Sequence, residues 1–302
     1  MISVVIAVLN AEASLGRCLD SVIAQDYQDL QLVVIDGGSS DASVELIKAR
    51  EEAISYWESS PDRGIYHAWN KGLTKVVGDW VHFLGSDDRF ASSDVLSRVA
   101  EKLQICIPGT RIAYGRVAVV SKRDEVLEIA GRPWDEARSR MRIGMPISFP
   151  GVFLHRSIFA TRGVFDESFQ IAGDYEFLLR ELIDRPPLFL DDLVTLMSPG
   201  GKSSSRENRL VRSLEDARAR KLNGLFPYPA AWCWEFIKDC LYRVLDNTFG
   251  TRAALFVQQA YKRLVGASYR IWRALSGRPS GAHAQCCRLK RPGLAGDDSK
   301  ER

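Results

Sequence analysis

Through its first 105 residues the chain alternates short apolar runs with amphipathic stretches, and this rhythm limits its fold more than any other feature. It is the pattern of βα units feeding a parallel sheet, so the spacing predicts an α/β fold with a mostly parallel, Rossmann-like sheet sandwiched by helices. Strands are predicted over ISVVIAVL, Leu30 to Asp36, Ala53 to Trp57 and Asp79 to Leu84. Apolar residues recur at helical spacing over Ala11 to Ala24, Ala42 to Arg50, Ile65 to Val77 and Ser92 to Leu103, with Asn10 and Asp41 as N-caps of the first two. From Arg111 to about Leu127 the pattern becomes β-rich, then irregular around Pro133, Pro146 and Pro150, where a site loop interrupts the sheet. A helix over Gly173 to Ile183, a strand over Pro187 to Leu196 and a charged surface helix over 206–221 follow.

Beyond Pro227 and Pro229 the composition shifts to two stretches rich in Trp, Tyr, Leu and Arg, Ala231 to Leu245 and Thr251 to Leu275, separated by DNTFG. They read as a C-terminal helical extension. The expected organisation is therefore a nucleotide-binding and catalytic domain over 1–222, an amphipathic helical extension over 223–276 and a disordered tail over 277–302. With 46% apolar and 26% charged residues in a chain of 302, collagenous, disordered and polytopic membrane classes are excluded.

A net charge of only +3 conceals an asymmetry. Residues 1–200 carry 21 Lys and Arg against 29 Asp and Glu, net −8, whereas 201–302 carry 20 against 9, net +11. A basic C-terminal region on an acidic body predicts that the former meets something anionic. The six cysteines, Cys18, Cys106, Cys233, Cys240, Cys286 and Cys287, form no CxxC pair and lie at no zinc-ligand spacing, so reduced thiols are expected. The opening run is too short for a secretory signal and no later stretch reaches 18 uncharged apolar residues, which predicts a cytoplasmic protein without a spanning helix.

In an open parallel sheet the ligand sits beyond the carboxyl ends of the strands. Here all four predicted strands end in polar turns: Val8-Leu9-Asn10 with Glu12 behind it, Asp36-Gly37-Gly38-Ser39-Ser40-Asp41, Ser59-Ser60-Pro61-Asp62-Arg63-Gly64 and Gly85-Ser86-Asp87-Asp88. Asp, Gly and Ser are also ordinary turn formers, but four such turns on one rim point to a site. A carboxylate at Asp36 can accept hydrogen bonds from nucleoside imide and hydroxyl groups. Adjacent carboxylates at Asp87-Asp88, closing the buried run WVHFL, cost free energy unless a cation compensates, and Mg²⁺ or Mn²⁺ on one or two carboxylates keeps positions open for a diphosphate. Far along the chain, Asp174 opens a helix within FDESFQIAGDYEFLLREL, where a carboxylate can either cap the helix or take a proton from an attacking hydroxyl.

Together SVVIAVLNAEASLGRCLDSVIAQDYQDLQLVVIDGGSSDAS, SPDRGIYHAWNKGL, GDWVHFLGSDD and FDESFQIAGDYEFLLREL followed by MSPGGKSSS resemble the family 2 glycosyltransferases of the glycosyltransferase A fold, in particular the bacterial members that build surface polysaccharides and glycolipids. The resemblance covers about residues 2–222. It implies that Ala7, Leu9 and Glu12 line the nucleotide pocket, that Asp36 binds the base, and that Asp62 completes the pocket with Asn70 and Lys71 in support. It further implies Asp88 as the ligand of Mn²⁺ or Mg²⁺, Asp87 as a ribose or outer partner, Asp174 as the catalytic base, and Gly200, Gly201 and Lys202 as a loop closing near the diphosphate. The implied donor is a nucleotide-diphosphate sugar, a UDP-sugar first, and the acceptor a saccharide or lipid-linked saccharide. Two departures stand out: Ser86 replaces the first acid of the metal motif, and Phe149-Pro150 stands where many relatives carry His-Gln.

Two rivals remain at this point: a nucleotidyltransferase, which wants a basic Gly-rich loop that Val8 to Glu12 does not offer, and a non-catalytic nucleotide-sugar or glycan-binding module, which has no need of Asp87, Asp88 and Asp174 together. A Walker loop is excluded because the first glycine would fall at Leu196. No nucleic acid partner is expected. His67, His82 and His155 read as packing or surface residues. In the extension, Trp234, Ile237, Leu241 and Leu245, then Val257, Tyr261, Leu264 and Trp272, recur at helical spacing among Lys and Arg, which fits a peripheral helix on an anionic membrane surface through 231–275 ahead of simple packing on the domain or on a second subunit of a homodimer.

Overall fold

The computed structural model describes residues 1–104, 109–201 and 208–228, with 230, 232–234, 236–238, 240, 241, 244 and 248 beyond them. By contacts the chain divides into two units, Met1–Cys240 and Leu241–Arg302. Lys202, the whole of the predicted second helix of the extension and the predicted tail lie outside the described residues, as do Cys106 and His283.

The first unit is the expected α/β architecture. Strands β1 (Ile2–Val8), β2 (Leu30–Asp36), β3 (Tyr56–Ser59), β4 (Trp80–Gly85), β5 (Arg89–Phe90), β6 (Ile112–Val120), β7 (Val126–Ala130), β8 (Val152–His155) and β9 (Leu188–Met197) share one sheet. Its order is β3-β2-β1-β4-β8-β6-β9-β5, and β7 pairs with β6 off this path. The run β3-β2-β1-β4 is parallel throughout. β6 and β9 are also parallel, whereas β8, β7 and β5 join antiparallel.

Successive strand residues face opposite layers, so the apolar runs supply two cores. Val4, Ile6, Leu32, Val34 and Leu84 pack beneath helices α1 (Leu15–Ile23), α2 (Ser43–Lys48) and α4 (Val95–Gln104). Val5, Val33, Ile35, Val81 and Phe83 pack on the other side, under α3 (Ile65–Leu73), α6 (Ser157–Arg162), α7 (Gly173–Leu182) and α8 (Arg209–Leu222), around a cluster of Tyr66, Trp69, Phe149, Phe165 and Phe177. Phe149, in the position that departs from many relatives, stacks on Trp69 at 5.1 Å and so belongs to this core.

Several boundaries differ from the sequence expectation for local reasons. α1 begins at Leu15 because Asn10 adopts a left-handed φ of 51° and accepts from Ser40 N instead of capping. Asp41 lies one residue before the N-cap position of α2, which Ala42 holds, and accepts from the N–H groups of Ser43 and Glu12. Residues 51–53 form a 3₁₀ turn, which shifts β3 to 56–59. α5 (Trp134–Ala137), β5, β8 and α6 were not predicted as elements. Among the described histidines, His82 is buried and His67 and His155 are partly buried. His82 is fully buried between Phe90 and Phe153, and burial pushes it down to about 4.

Candidate active site

The parallel register aligns the strand ends. Val8 pairs with Asp36, Asp36 with Ser59, and Ala7 with Gly85, so the four acidic turns emerge on one rim. Backbone bonds hold the loops together there: Gly37 N donates to Val8 O at 2.8 Å and Ser60 N to Asp36 O at 3.0 Å. The first two loops are further stitched by Ala42 N donating to Glu12 and Asn10 N donating to Ser39 Oγ. Ala7 is half-buried at the strand end and Leu9 is 57% exposed beside it.

Asp36 stands on the rim but its carboxylate turns inward. It is fully buried and accepts from Gly38 N and Ser39 N, both at 3.0 Å, and from the hydroxyls of Ser39 and Ser59. Four internal donors fix the carboxylate within the turn that the resemblance assigns to the base. Glu12 is likewise engaged, through Ala42 N, as a brace between loops. The carboxylate that does come forward is that of Asp62, which accepts from Gly64 N at 2.9 Å and lies directly over Gly37. A Cβ at position 37 would overlap it, so the glycine is what admits the Asp62 side chain to the end of β2.

Asn70 and Lys71 support the rim from α3. The Asn70 amide donates to Phe165 O at 2.9 Å and accepts from Phe165 N at 3.1 Å, tying α3 to the 165–167 loop. Lys71 Nζ donates to Ser60 Oγ at 2.7 Å and pairs with Glu58 at 2.6 Å, fixing the turn that carries Asp62.

At the end of β4, Asp87 is exposed and Asp88 only 5% exposed. Burial, and then the neighbouring Asp87 charge, pushes the Asp88 carboxyl up to about 8. Among the described residues its one donor is Ser198 N at 3.2 Å, and Ser198 Oγ donates to Asp87 O at 2.8 Å. β5 pairs antiparallel with β9, Arg89 against Leu196, which brings Ser198 onto the acidic turn. Beneath it, the buried Cys18 thiol donates to Gly85 O. No Lys or Arg pairs with Asp87 or Asp88 among the described residues, and no group of three or more His, Cys, Asp or Glu converges as a metal cage among them. The residues nonetheless fit a hard divalent cation. An uncompensated buried carboxylate beside an exposed one supplies one or two oxygen ligands and leaves the remaining positions for diphosphate and water.

Asp174 opens α7, tied to the rim by Tyr66 at the start of α3. Tyr66 OH donates to Ile171 O at 2.7 Å, accepts from Gly173 N at 2.8 Å and reaches Asp174 Oδ1 at 3.4 Å. Gly173 is required, because an added Cβ would stand 2.7 Å from the Tyr66 ring. Asp174 is partly buried and also accepts from Tyr175 N at 2.8 Å. Burial pushes its carboxyl up to about 6 against those hydrogen bonds, with a smaller upward push from Glu215. A carboxylate poised there is ionised at neutral pH yet a stronger base than a solvated one.

Glu215 itself gave no sequence signal beyond a charged helix face. From α8 its two oxygens accept from Gln170 N, Ile171 N and Ala172 N at 2.7, 2.8 and 2.9 Å. The predicted surface helix is thus also a brace for the approach to Asp174.

Comparison with known proteins bears on this geometry. A glycosyltransferase of PGL/p-HBAD biosynthesis from Mycobacterium bovis (strain BCG / Pasteur 1173P2) is 30% identical over 187 residues, covering 60% of this chain and 69% of its own. An uncharacterized glycosyltransferase of Mycobacterium tuberculosis (strain CDC 1551 / Oshkosh) is 31% identical over 225 residues, 70% of this chain and 79% of the relative. Among solved structures, a mannosyltransferase from Pyrobaculum calidifontis in complex with GDP-Man and Mn²⁺ superposes with a TM-score of 0.60 at 17% identity, covering 90% of this chain and 83% of that one. S. aureus TarS 1-349 in complex with UDP-GlcNAc does so at 0.55 and 14%, covering 79% and 72%. The last two show the glycosyltransferase A fold. The family model described as Glycosyl transferase family 2 matches residues 3–159, and the chain belongs to that family of glycosyltransferases.

Proposed function

We propose that the protein is an inverting, metal-dependent glycosyltransferase that moves one sugar from a nucleotide-diphosphate sugar, a UDP-sugar first, to a saccharide or lipid-linked saccharide acceptor in cell-surface polysaccharide or glycolipid synthesis. The observation that carries this reading is the pair Asp87-Asp88: a buried carboxyl and an exposed one, without a basic partner among the described residues, on the rim where four parallel strands end. When bound on Asp88, with Asp87 beside it, Mn²⁺ or Mg²⁺ supplies charge neutralisation for the departing diphosphate.

This chain's own residues account for the remainder. Asp62, over Gly37, offers a carboxylate to the nucleoside while Ala7 and Leu9 flank it, and Asp36 and Glu12 hold the loops that form the pocket wall. Asp174 takes the proton from the acceptor hydroxyl as it attacks, and attack opposite the leaving nucleotide inverts the anomeric centre. The transition state resembles an oxocarbenium ion by analogy with sugar transfer to water, which places value on carboxylates near the ring.

The decisive experiment is titration calorimetry with UDP, GDP and dTDP, each with and without Mn²⁺, on the native chain and Asp88→Ala. Nucleotide binding that depends on Mn²⁺ and vanishes in the variant is expected. Equal binding by both chains in the presence of Mn²⁺ removes Asp88 from the site.

A membrane-surface role for the extension is part of this reading. Trp234, Ile237, Leu241 and Val244 are each about half exposed at intervals of three and four residues, in a region of net positive charge, and no described helix is long and apolar enough to cross a membrane. Such a helix would hold the enzyme peripherally on the inner face of the cytoplasmic membrane, where a lipid-linked acceptor is met. Flotation with liposomes containing anionic lipid, comparing the full chain with one lacking 223–302, is expected to recover only the former with lipid; equal recovery would leave the extension a packing role.

A further inference from the structure

The polar bonds around α7 place one unassigned carboxylate in a commanding position. Glu215 lies on α8, 43 to 45 residues beyond the turn it grips, yet both its oxygens are spent on three successive N–H groups at Gln170, Ile171 and Ala172. Those N–H groups belong to the turn that leads into α7, and first-turn N–H groups of a helix have no partner within it. The turn is pinned from the opposite side by Tyr66, whose hydroxyl holds Ile171 O and Gly173 N. Two side chains from two different helices therefore clamp residues 170–173 immediately before Asp174.

We propose that Glu215 is the positioning residue of the active site: by gripping the turn at 170–172 it fixes where the Asp174 carboxylate stands. It touches neither donor nor acceptor in this reading and acts only through α7. The inference rests on the assignment of Asp174 as base.

The clamp also has an electrostatic side. Groups facing Asp174 are Tyr66 from α3, Tyr175 on α7 itself, and Glu215 with Asp216 from α8, the last held near Arg220 and Arg212. Burial is the main reason the Asp174 carboxyl stands near 6, and the Glu215 charge pushes in the same direction. Removing that charge should let Asp174 ionise at lower pH, an effect that a merely structural brace would not produce.

The test uses the full chain with three variants, Glu215→Gln, Glu215→Asp and Asp174→Asn, and reads kcat, donor KM and the pH profile of kcat. Glu215→Gln exchanges one accepting oxygen for an N–H donor facing N–H donors. It is expected to lower kcat by about 10- to 100-fold, the scale of an ångström-level misplacement, with donor KM little changed. Its acidic limb should move to lower pH. Glu215→Asp keeps the charge but loses reach, so it should lower kcat while leaving the limb in place. Unchanged kcat in both Glu215 variants, or a fall in kcat with an unmoved limb in Glu215→Gln, overturns the proposal. Should Glu215→Gln fail to fold, Glu215→Asp decides it by its kcat. If Asp174→Asn turns over normally, the base assignment itself has failed and the positioning role falls with it; if Asp174→Asn is inactive and Glu215 variants are normal, only the positioning role falls.

Discussion

Asp174→Asn should move activity and stability in opposite directions. The carboxyl stands near 6 in the folded chain, chiefly through burial, against an ordinary value of 3.8. A carboxyl raised by folding contributes stability below its unfolded value and loses it as pH rises through the folded value. Applied to those two values, the loss grows by about 2 kcal/mol between pH 4 and pH 8, with a ceiling of about 3 kcal/mol. Asparagine is isosteric, can still accept from Tyr175 N and does not ionise. The variant should therefore gain on the native chain as pH rises, a difference readable by urea denaturation of both chains at pH 4, 6 and 8 without nucleotide. Turnover should fall by about 10²–10⁴-fold, the usual contribution of a general base. In the native chain kcat should drop below pH 6, to about one-tenth of its plateau one unit lower. A stability difference that does not change with pH would mean that Asp174 is not the desolvated carboxyl described, and near-normal turnover would remove it from the chemistry.

Two further perturbations test the frame around it. Gly37→Ala should drive the Asp62 carboxylate off the end of β2 and raise the Kd for UDP with Mn²⁺ by about tenfold, or about 1.4 kcal/mol, by calorimetry; unchanged affinity would exclude Asp62 from the pocket. Glu181 is buried where Arg111 Nε donates at 2.7 Å and Arg162 Nε at 2.9 Å, so Glu181→Gln should cost about 3–5 kcal/mol in urea denaturation by leaving Arg111 without a carboxylate, while Arg162 keeps Asp184. A cost below about 1 kcal/mol would show that the pair is effectively solvated.

The parallel half of the sheet was legible because its signal is local: an apolar run, a polar turn, an amphipathic stretch. β1, β2 and β4 emerge within a residue or so of where the apolar runs place them. β8 and β5 were invisible because a strand of four residues and one of two carry no periodicity of their own and exist only through pairing with β4, β6 and β9. The candidate site divides in the same way. Which turns share a rim follows from strand order, whereas which way each acid points depends on donors supplied by other segments. Ser59 comes to Asp36 from β3, Ser198 to Asp88 from beyond β9, and Glu215 to the α7 turn from α8. None of these pairings is written in the spacing of a motif.

Two aspartates that look alike in sequence thus end in different circumstances through their hydrogen-bond supply. Asp36 is buried with four donors and needs no cation. Asp88 is buried with one among the described residues, at 3.2 Å, beside another acid. The contrast can be measured in the metal-free, nucleotide-free chain at pH 7. Asp36→Ala takes the acceptor away from the N–H groups of Gly38 and Ser39, and leaving such donors unpaired costs about 1–3 kcal/mol. Asp88→Asn removes a carboxyl whose folded value near 8 is far above its unfolded one, so at pH 7 the native chain has already lost stability there and the variant should gain. Opposite signs in urea denaturation are the expected result. If both variants lose stability, Asp88 has compensation within the protein, and the physical reason for a cation at that end of β4 disappears.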